Sequence, residues 1–498
     1  MQTIFSRNLE KNLKALQERL HLDVNDDVVV RRFSALGQDC ALLYVEGLSD
    51  GEQMAQHILR PMMNSPLFLS GRSAAEQAMQ NVLTVPEAES GPEIAQALDD
   101  LLRGLCLLLI DGCDQALRID LRSYSRRALS TPQNETVVVG PNDAFNETLR
   151  DNLTILHRRL PSPDFFCSIR KVGTETPGQV ALCYLDGVCP AETVEELQRR
   201  LDGVGLDYVL SAGTLEQLIE DDPYAPLPQM VGTERPDRVV SFLMEGQAVL
   251  LLDGSPRALA LPVSLWHLFH APDDSYMRWQ YGTFMRLLRL LGALVTLLLP
   301  AVFVSLVVYH PITIPMTLLT SIMQSRTNVP INLFEETLLM VAVFALINES
   351  AIRIPGMMGS SLGLVSTLIL GTAAVDAGLV SPLLIIVVAL SGLGSYAMPN
   401  YPLSFAFRLG QVALLLAAGI TGVSGLCYAV VMLLCWVAAM ESLGQPFLAP
   451  GSPRRTHNPD LLFRAPTFRQ RLRAYLSNPE EMKRAYGRMR RFDGRKKE

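Results

Sequence analysis

The sequence predicts an α/β soluble N-terminal region with two related, duplicated subdomains, followed by an all-α polytopic membrane domain. Two observations carry this prediction. Residues 1 to about 285 mix charged, polar and apolar residues as soluble proteins do, whereas long stretches after residue 290 lack every charged residue. In addition, four similar strand-and-turn segments recur in the N-terminal part at matched spacings. A chain of 498 residues is also long enough for more than one domain.

The first 31 residues are expected to form a surface helix. Leu9, Leu13, Leu16 and Leu20 recur at helical spacing. The segment is rich in charge and has no apolar core followed by a small-residue cleavage site, so we do not expect a signal peptide. The N-terminal region is therefore expected to be cytosolic.

The four strand-and-turn segments pair into two copies. Each is an apolar run closed by an acidic residue and a glycine: ALLYVEG (41–47), LLLIDG (107–112), ALCYLDG (181–187) and VLLLDG (249–254). Such runs suit buried strands, and the glycine supplies a turn because it accepts positive φ. The first and third glycines are 140 residues apart, and the second and fourth are 142 apart. This spacing predicts α/β subdomains over residues 32–130 and 165–270, joined by a linker and connecting helix over residues 131–164.

The acidic residues of these segments are interpreted as turn residues, because no partner ligands lie near them at metal-binding spacing. The sequence contains no phosphate-binding loop, dinucleotide-binding fingerprint, nucleophile elbow or zinc-protease motif. Its cysteines lack a paired zinc-type spacing, and a reducing compartment disfavours disulfides. We therefore expect no cofactor, no metal and no catalytic residues, and an enzymatic activity is unsupported.

The membrane domain is predicted over residues 285–440, with about five or six helices. Four stretches lack Asp, Glu, Lys and Arg: residues 290–309, 354–375, 377–407 and 409–440. Crossing a bilayer as a helix takes about 20 apolar residues, and lipid offers backbone groups no other hydrogen-bond partners. A further span is expected over residues 331–350, after a loop that contains a short interfacial helix.

The stretch 409–440 could cross the membrane once or form a helical hairpin. The segment 441–498 contains 14 basic and 6 acidic residues, a net charge of +8, and is predicted to be a basic cytosolic tail. A hairpin that reverses near Gly419, Gly422 and Gly425 would keep both termini cytosolic, so we favour it.

Polar residues in and just after the second predicted span are the candidates for a pore or a subunit contact: Glu335, Glu336, Asn348, Glu349 and Arg353. An intramembrane charge costs about 2.5–3.5 kcal/mol on insertion scales and rarely faces lipid. Glu335 and Glu336 either line a cation path or bind a partner subunit, or they lie at the outer interface in contact with solvent. Glu349 and Arg353 are four residues apart and can pair across one helical turn.

A second candidate feature is a small-residue face suited to close helix packing within or between subunits. Its members are Gly356, Gly359, Ser360 and Gly363.

Several motifs resemble one known family, in that family's order. They are IEDDPYAPLPQ (219–229), TERPDR (233–238), LMEGQAVLLLDGSP (243–256), WQYGTFMRLLR (279–289), YHP (309–311), RIP (353–355), AAVDAGLVSP (373–382) and PNY (399–401). Together they resemble the GerA-type spore germination proteins, the A-subunit family that also includes the sporulation protein SpoVAF. The resemblance covers residues 7 to about 450, and the tail after Pro450 departs from it by being longer and more basic.

The resemblance implies an A-type subunit of a spore germinant receptor in the spore inner membrane. Such a subunit would work with B- and C-type subunits, take part in nutrient sensing, and self-associate in membrane lipid as a homo-oligomeric ion channel. The alternatives are a SpoVAF-like accessory channel, a secondary transporter and a non-conducting scaffold subunit. No nucleic-acid partner is expected.

Overall fold

A computed structural model of the chain describes residues 3–22, 24–65, 74–122, 131–353, 371–453, 460–473 and 479–484. The chain forms two compact units. The first unit comprises Met1–Pro223, Met230–Val263 and Arg471–Glu498, and the second comprises Tyr224–Gln229 and Ser264–Gln470.

The first unit contains two five-stranded antiparallel sheets with the same strand order. The strands of the first sheet are β1 (Val28–Ala35), β2 (Gln38–Val45), β3 (Ala88–Gly91), β4 (Cys106–Ile110) and β5 (Ala116–Ile119), arranged β1-β2-β4-β5-β3. Those of the second are β6 (Phe165–Val172), β7 (Gly178–Leu185), β8 (Val231–Thr233), β9 (Ala248–Leu252) and β10 (Ala258–Leu261), arranged β6-β7-β9-β10-β8. This shared order confirms the predicted duplication.

Helices accompany both sheets. They are α1 (Leu9–Leu20), α2 (Gly51–Met54), a π-helical turn (Ala55–Leu59), α3 (Arg60–Asn64), α4 (Ala74–Asn81), α5 (Ile94–Leu102), α6 (Leu149–Arg159), α7 (Ala191–Asp202), α8 (Ala212–Ile219) and α9 (Pro236–Met244).

The first sheet is covered by helices on both faces. Leu107 and Leu109 of β4 pack in one core with α1 and α5, whereas Leu108 and Ile110 pack in the opposite core with α2, α3 and α4. Side chains alternate between the faces of a strand, so a strand covered on both faces needs an uninterrupted apolar run. This explains why these segments read as continuous apolar runs in the sequence.

The four predicted turns are present, and two of their acids also bind the start of a helix. The glycines that close the four segments all have positive φ: Gly47 (88°), Gly112 (81°), Gly187 (70°) and Gly254 (83°). The backbone N–H of Leu9, at the start of α1, donates to Asp111 Oδ1 at 2.9 Å. In the second copy, the N–H of Leu149 at the start of α6 donates to Asp253 Oδ1 at 3.0 Å. Each of these two turn acids therefore satisfies a free donor at a helix N-terminus.

The second unit is mainly helical. Its helices are α10 (Leu265–Phe269), α11 (Asp273–Tyr276), α12 (Trp279–Val304), a π-helical turn (Ser305–Tyr309), a 3₁₀ turn (Pro311–Thr313), α13 (Met316–Ser325), α14 (Leu333–Arg353), α15 (described over 371–376), α16 (Pro382–Tyr396), α17 (Tyr401–Thr421), α18 (Val423–Ala439) and a 3₁₀ turn (Thr467–Arg469). A short hairpin of β11 (Glu441–Ser442) and β12 (Gln445–Pro446) follows α18.

Two helices within the described residues are long and apolar enough to cross a bilayer. They are Trp279–Tyr309, which includes the π-helical turn, and Tyr401–Thr421. The apolar helices α16 and α18 are shorter, with 15 and 17 residues. Most of the predicted span 354–375 lies outside the described residues.

The stretch 409–440 contains a reversal between two helices. The break lies at Gly422 (φ 69°, ψ −143°), while Gly419 and Gly425 lie inside α17 and α18. Helix α17 starts at Tyr401, and the side chain of Asn400 accepts a hydrogen bond from the backbone N–H of Leu403. The helix before the reversal is therefore longer than the first arm of the predicted hairpin, which began at residue 409. Asn400 is a typical helix-capping residue, and its side chain fixes this earlier start.

Candidate functional site

Polar side chains meet where α12, α16 and α17 pack together in the second unit. Thr296 Oγ1 of α12 donates to the carbonyl of Ser391 in α16 at 2.9 Å. Gln411 Nε2 of α17 donates to Ser391 Oγ at 2.9 Å, and Arg408 Nε donates to Ser395 Oγ at 3.3 Å. Polar side chains between apolar helices commonly link them through such hydrogen bonds. This polar layer therefore ties three apolar helices to one another.

A cavity of about 580 Å³ lies beside the polar layer and is lined by α14, α16 and α17. Its polar lining residues are Asn348, Glu349, Ser391, Ser395, Tyr401, Arg408 and Gln411. Asn348 is buried, and its Oδ1 accepts the hydroxyl of Tyr396. Its Nδ2 donor has no hydrogen-bond partner among the described residues. A buried amide donor is costly to leave unpaired, so this wall of the cavity favours a polar occupant.

The two adjacent glutamates of α14 have different environments. Glu335 is exposed, whereas Glu336 is fully buried. Glu336 Oε2 accepts Arg326 Nε at 3.2 Å, and Glu336 Oε1 accepts the backbone N–H of Ser381 at 2.6 Å. Ser381 precedes the first residue of α16, so Glu336 links the loop before α14 to the start of α16.

The structure brings some of the predicted site residues together and separates others. Asn348 and Glu349 line the same cavity, whereas Glu335 and Glu336 are not among its lining residues. The side chain of Arg353 lies outside the described part of the structure, as does the small-residue face, which comprises Gly356, Gly359, Ser360 and Gly363. The roles predicted for all these residues stay predictions.

A buried ion-pair network holds the start of α12. Asp274 Oδ2 contacts Arg286 Nε at 3.1 Å and Arg289 Nη1 at 2.7 Å. Arg286 also reaches Asp460 at 2.7 Å. Burial opposes ionisation of Asp274, but the two arginines outweigh it and hold the pKa of its carboxyl below the usual value. The basic residues at the head of α12 therefore have fixed acidic partners.

A separate cluster of potential metal ligands lies inside the first unit, where the sequence predicted no metal site. Oxygen, nitrogen and sulfur atoms of Asp27, His157 and Cys167 all lie within 4.8 Å of one another, and all three residues are buried. Burial raises the pKa of the Cys167 thiol well above its usual value, and Cys183 and Asp27 act in the same direction. Asp27 lies 130 positions before His157, so no local spacing motif could have revealed the cluster.

Known proteins resemble this chain over most of its length. The family model described as Bacillus/Clostridium GerA spore germination protein matches residues 14–475. Spore germination protein B1 of Bacillus subtilis (strain 168) is 33% identical over 479 residues, which cover 95% of this chain and 98% of that protein. Uncharacterized membrane protein YfkQ of the same organism is 31% identical over 464 residues, covering 93% of this chain and 90% of that protein.

One solved structure is also similar. It is the crystal structure of the N-terminal domain of the A subunit of the Bacillus megaterium spore germinant receptor GerK3. The match has 27% sequence identity and a TM-score of 0.42, and it covers 53% of this chain and 98% of that chain.

Proposed function

The chain belongs to the GerA family of spore germination proteins, and from this premise we propose that it is an A-type subunit of a nutrient-responsive germinant receptor. In this proposal, copies of the chain associate into an ion channel in the spore inner membrane. B- and C-type subunits are its partners, and its first unit faces the cytosol. The branch of accessory SpoVAF-like channels is the nearest alternative.

The observation that supports a conducting role is the polar cavity among α14, α16 and α17. Polar and charged groups are costly within lipid, and in membrane proteins they mark pathways or sites more often than they face the acyl chains. Here Glu349, Arg408 and Gln411 line one cavity between otherwise apolar helices. A carboxylate at such a cavity raises the local concentration of cations.

The membrane location is supported by the long apolar helices of the second unit. Residues Trp279–Tyr309 have a mean hydropathy of 2.6 in their most apolar window, and Tyr401–Thr421 reach 1.7. Arg278, Arg286 and Arg289 lie near the start of the first of these helices. Basic residues favour the cytoplasmic side of a span, which supports a cytosolic first unit.

Ion flux through the purified full-length protein in liposomes tests this proposal. We expect steady monovalent-cation conductance. The variant Glu349→Gln should reduce it by roughly an order of magnitude, because it removes a carboxylate of the cavity that attracts cations, and Glu335→Gln tests the cation path predicted from the sequence. The matched control is Glu76→Gln, which removes an exposed carboxylate from α4 in the first unit and should leave flux unchanged.

The outcomes separate the competing functions. Wild-type conductance with no change in either variant would reject the pore role of these glutamates. Saturable solute uptake coupled to an ion gradient would indicate a secondary transporter. Absence of both activities, also when B- and C-type subunits are reconstituted alongside, would indicate a scaffold subunit.

A further inference from the structure

We propose that the first unit contains a structural zinc site where its two repeats meet. The ligands are Asp27, His157, Cys167 and Cys183. Asp27 precedes strand β1 of the first repeat, whereas the other three belong to the connecting helix α6 and to strands β6 and β7 of the second repeat. A metal ion there would join the two repeats.

The ligand atoms already lie close together. Asp27 Oδ2 is 2.9 Å from His157 Nε2, and the Sγ atoms of Cys167 and Cys183 are 3.2 Å apart. Neighbouring ligand atoms in a tetrahedral zinc site are roughly 3.2–3.8 Å apart, given metal–ligand bonds of about 2.0–2.3 Å. Asp27, His157 and Cys167 need only small side-chain shifts to bind one ion, whereas Cys183, which is not in the group within 4.8 Å, must turn its Sγ toward it. Zinc would displace the thiol protons of Cys167 and Cys183 to solvent, and the neutral imidazole of His157 would carry its proton on Nδ1, so that Nε2, now 2.9 Å from Asp27 Oδ2, can bind the ion.

The chemistry of the cluster suits zinc. Two thiols, one imidazole and one carboxylate are donors that zinc accepts, and thiolates select it over hard cations such as Mg²⁺ and Ca²⁺. All four side chains are buried, with at most 3% of any residue exposed, as in a closed structural site rather than a catalytic one. Arg150 Nη1 lies 3.4 Å from Asp27 Oδ1, so a second charge orients the carboxylate and leaves Oδ2 to the ion.

The duplication supplies an internal comparison. Cys167 and Cys183 are cross-strand partners, and the equivalent pair in the first repeat is Val30 and Leu43. His157 is the ninth residue of α6, and the ninth residue of α1 is Gln17. The first repeat therefore has no potential ligand set at these positions. The second repeat has one, and its set faces the aspartate that the first repeat contributes.

Backbone contacts hold the two repeats together at the same place. The N–H of Asp26 donates to the carbonyl of Cys167 at 3.1 Å, and the N–H of Ile169 donates to Asp26 Oδ2 at 2.8 Å. These contacts fix Asp27 against β6 without the ion. Zinc that binds only the folded arrangement adds its binding free energy to folding, so it would stabilise the junction of the repeats.

Metal analysis of the full-length protein tests the site. The protein is produced in zinc-supplemented medium, purified in detergent without chelators and measured by elemental mass spectrometry. We expect one zinc ion per chain. Exchange for Co²⁺ should produce the thiolate-to-metal absorption and the visible bands of a tetrahedral site with sulfur ligands.

The ligand residues are tested by replacing them with the residues at the equivalent positions of the first repeat. Cys167→Val with Cys183→Leu, and separately His157→Gln, introduce residues that the first repeat already holds at these positions, so the fold should persist by circular dichroism. Both variants should lose the zinc and the cobalt spectrum. The control, Cys40→Ala with Cys106→Ala, changes two buried thiols elsewhere and should retain both.

Three results would overturn the proposal. They are a wild-type protein without stoichiometric zinc, folded variants that keep their zinc, and a wild-type protein whose Cys167 and Cys183 are joined in a disulfide.

Discussion

At the scale of single residues, Glu220 combines partial burial with acidic neighbours. Burial raises the pKa of Glu220 to about 7, and the charges of Glu216, Asp222 and Asp221 add to the effect. Arg200 pairs with Asp221 rather than with Glu220. The carboxyl at the end of α8 therefore keeps its proton far more readily in the folded chain than in the unfolded one.

This shift predicts a loss of local stability as pH rises. Between about pH 4.5 and about pH 7 the folded state binds more protons than the unfolded state, so the free energy of unfolding falls across that window. Hydrogen exchange of α8 in the full-length protein, corrected for intrinsic rates, should show decreasing protection over this range. Glu220→Gln should reduce the decrease, since glutamine stays neutral, while Glu216 of the same helix, whose pKa burial also raises, keeps part of it.

A second variant checks the cause of the pKa shift. Asp222→Asn removes one repelling carboxylate and should move the window to lower pH. Identical exchange profiles in wild type and Glu220→Gln at every pH would show that this carboxyl does not control α8.

The neighbouring residues Glu335 and Glu336 show how residue roles depend on partners. The Glu336 carboxylate accepts hydrogen bonds from Arg326 and from the backbone N–H of Ser381, whereas Glu335 is exposed. Breaking a buried pair by removing one charge commonly costs about 3–5 kcal/mol. A loss of flux in a Glu336 variant would therefore mix stability with conduction, which is why Glu335 and Glu349 are the cleaner probes.

At the scale of elements, the reversal between α17 and α18 depends on Gly422. Its backbone conformation is one that residues with a side chain rarely adopt. A Cβ at this position would also lie 2.7 Å from the ring of Tyr309. The Tyr309 hydroxyl in turn donates to the carbonyl of Gly419, so the ring is held over the reversal.

Gly422→Ala should therefore destabilise the helical unit. Backbone strain alone costs about 1–3 kcal/mol, and displacement of the tyrosine ring adds to it. Thermal unfolding of the detergent-solubilised protein measures the effect as a lower midpoint. Gly371→Ala is the control, since a Cβ there meets no atom of the residues that the structure describes within 4 Å. Equal midpoints for the two variants would contradict the role assigned to Gly422.

At the scale of the whole molecule, the first unit is a tandem repeat that uses the same device twice. Each repeat has a helix before its sheet and two of the apolar strand-and-turn segments. The acidic residue that closes the second segment accepts a hydrogen bond from the first backbone N–H of that helix. Asp111 does so for α1 and Asp253 for α6. The turn glycines also donate to the chain just before each helix, from Gly112 to Arg7 and from Gly254 to Glu147.

This symmetry predicts matched and additive effects. Asp111→Ala and Asp253→Ala should each lower the free energy of unfolding by about 1 kcal/mol, the usual cost of losing a helix-capping side chain. The double variant should lose the sum, because the two sites share no partners. Chemical denaturation of the full-length protein measures all three. A double variant no worse than either single one would show that the two repeats do not behave as independent copies.

The sequence by itself determined the features that depend on local pattern. Uncharged stretches predicted the helical second unit, and four apolar runs ending in an acid and glycine predicted two related α/β subdomains. Both signals are readable because helix and strand formation, burial on two faces and positive φ leave their mark within a few neighbouring residues.

Only the tertiary structure decided which distant side chains became partners. It placed Glu336 against Ser381, 45 positions away, and Asp27 against His157, 130 positions away. It also set the start of α17 and the exact position of the reversal at Gly422. Such pairings follow from how whole elements pack. A charge or a thiol in the sequence looks the same whether its partner is water, lipid or a residue from another repeat.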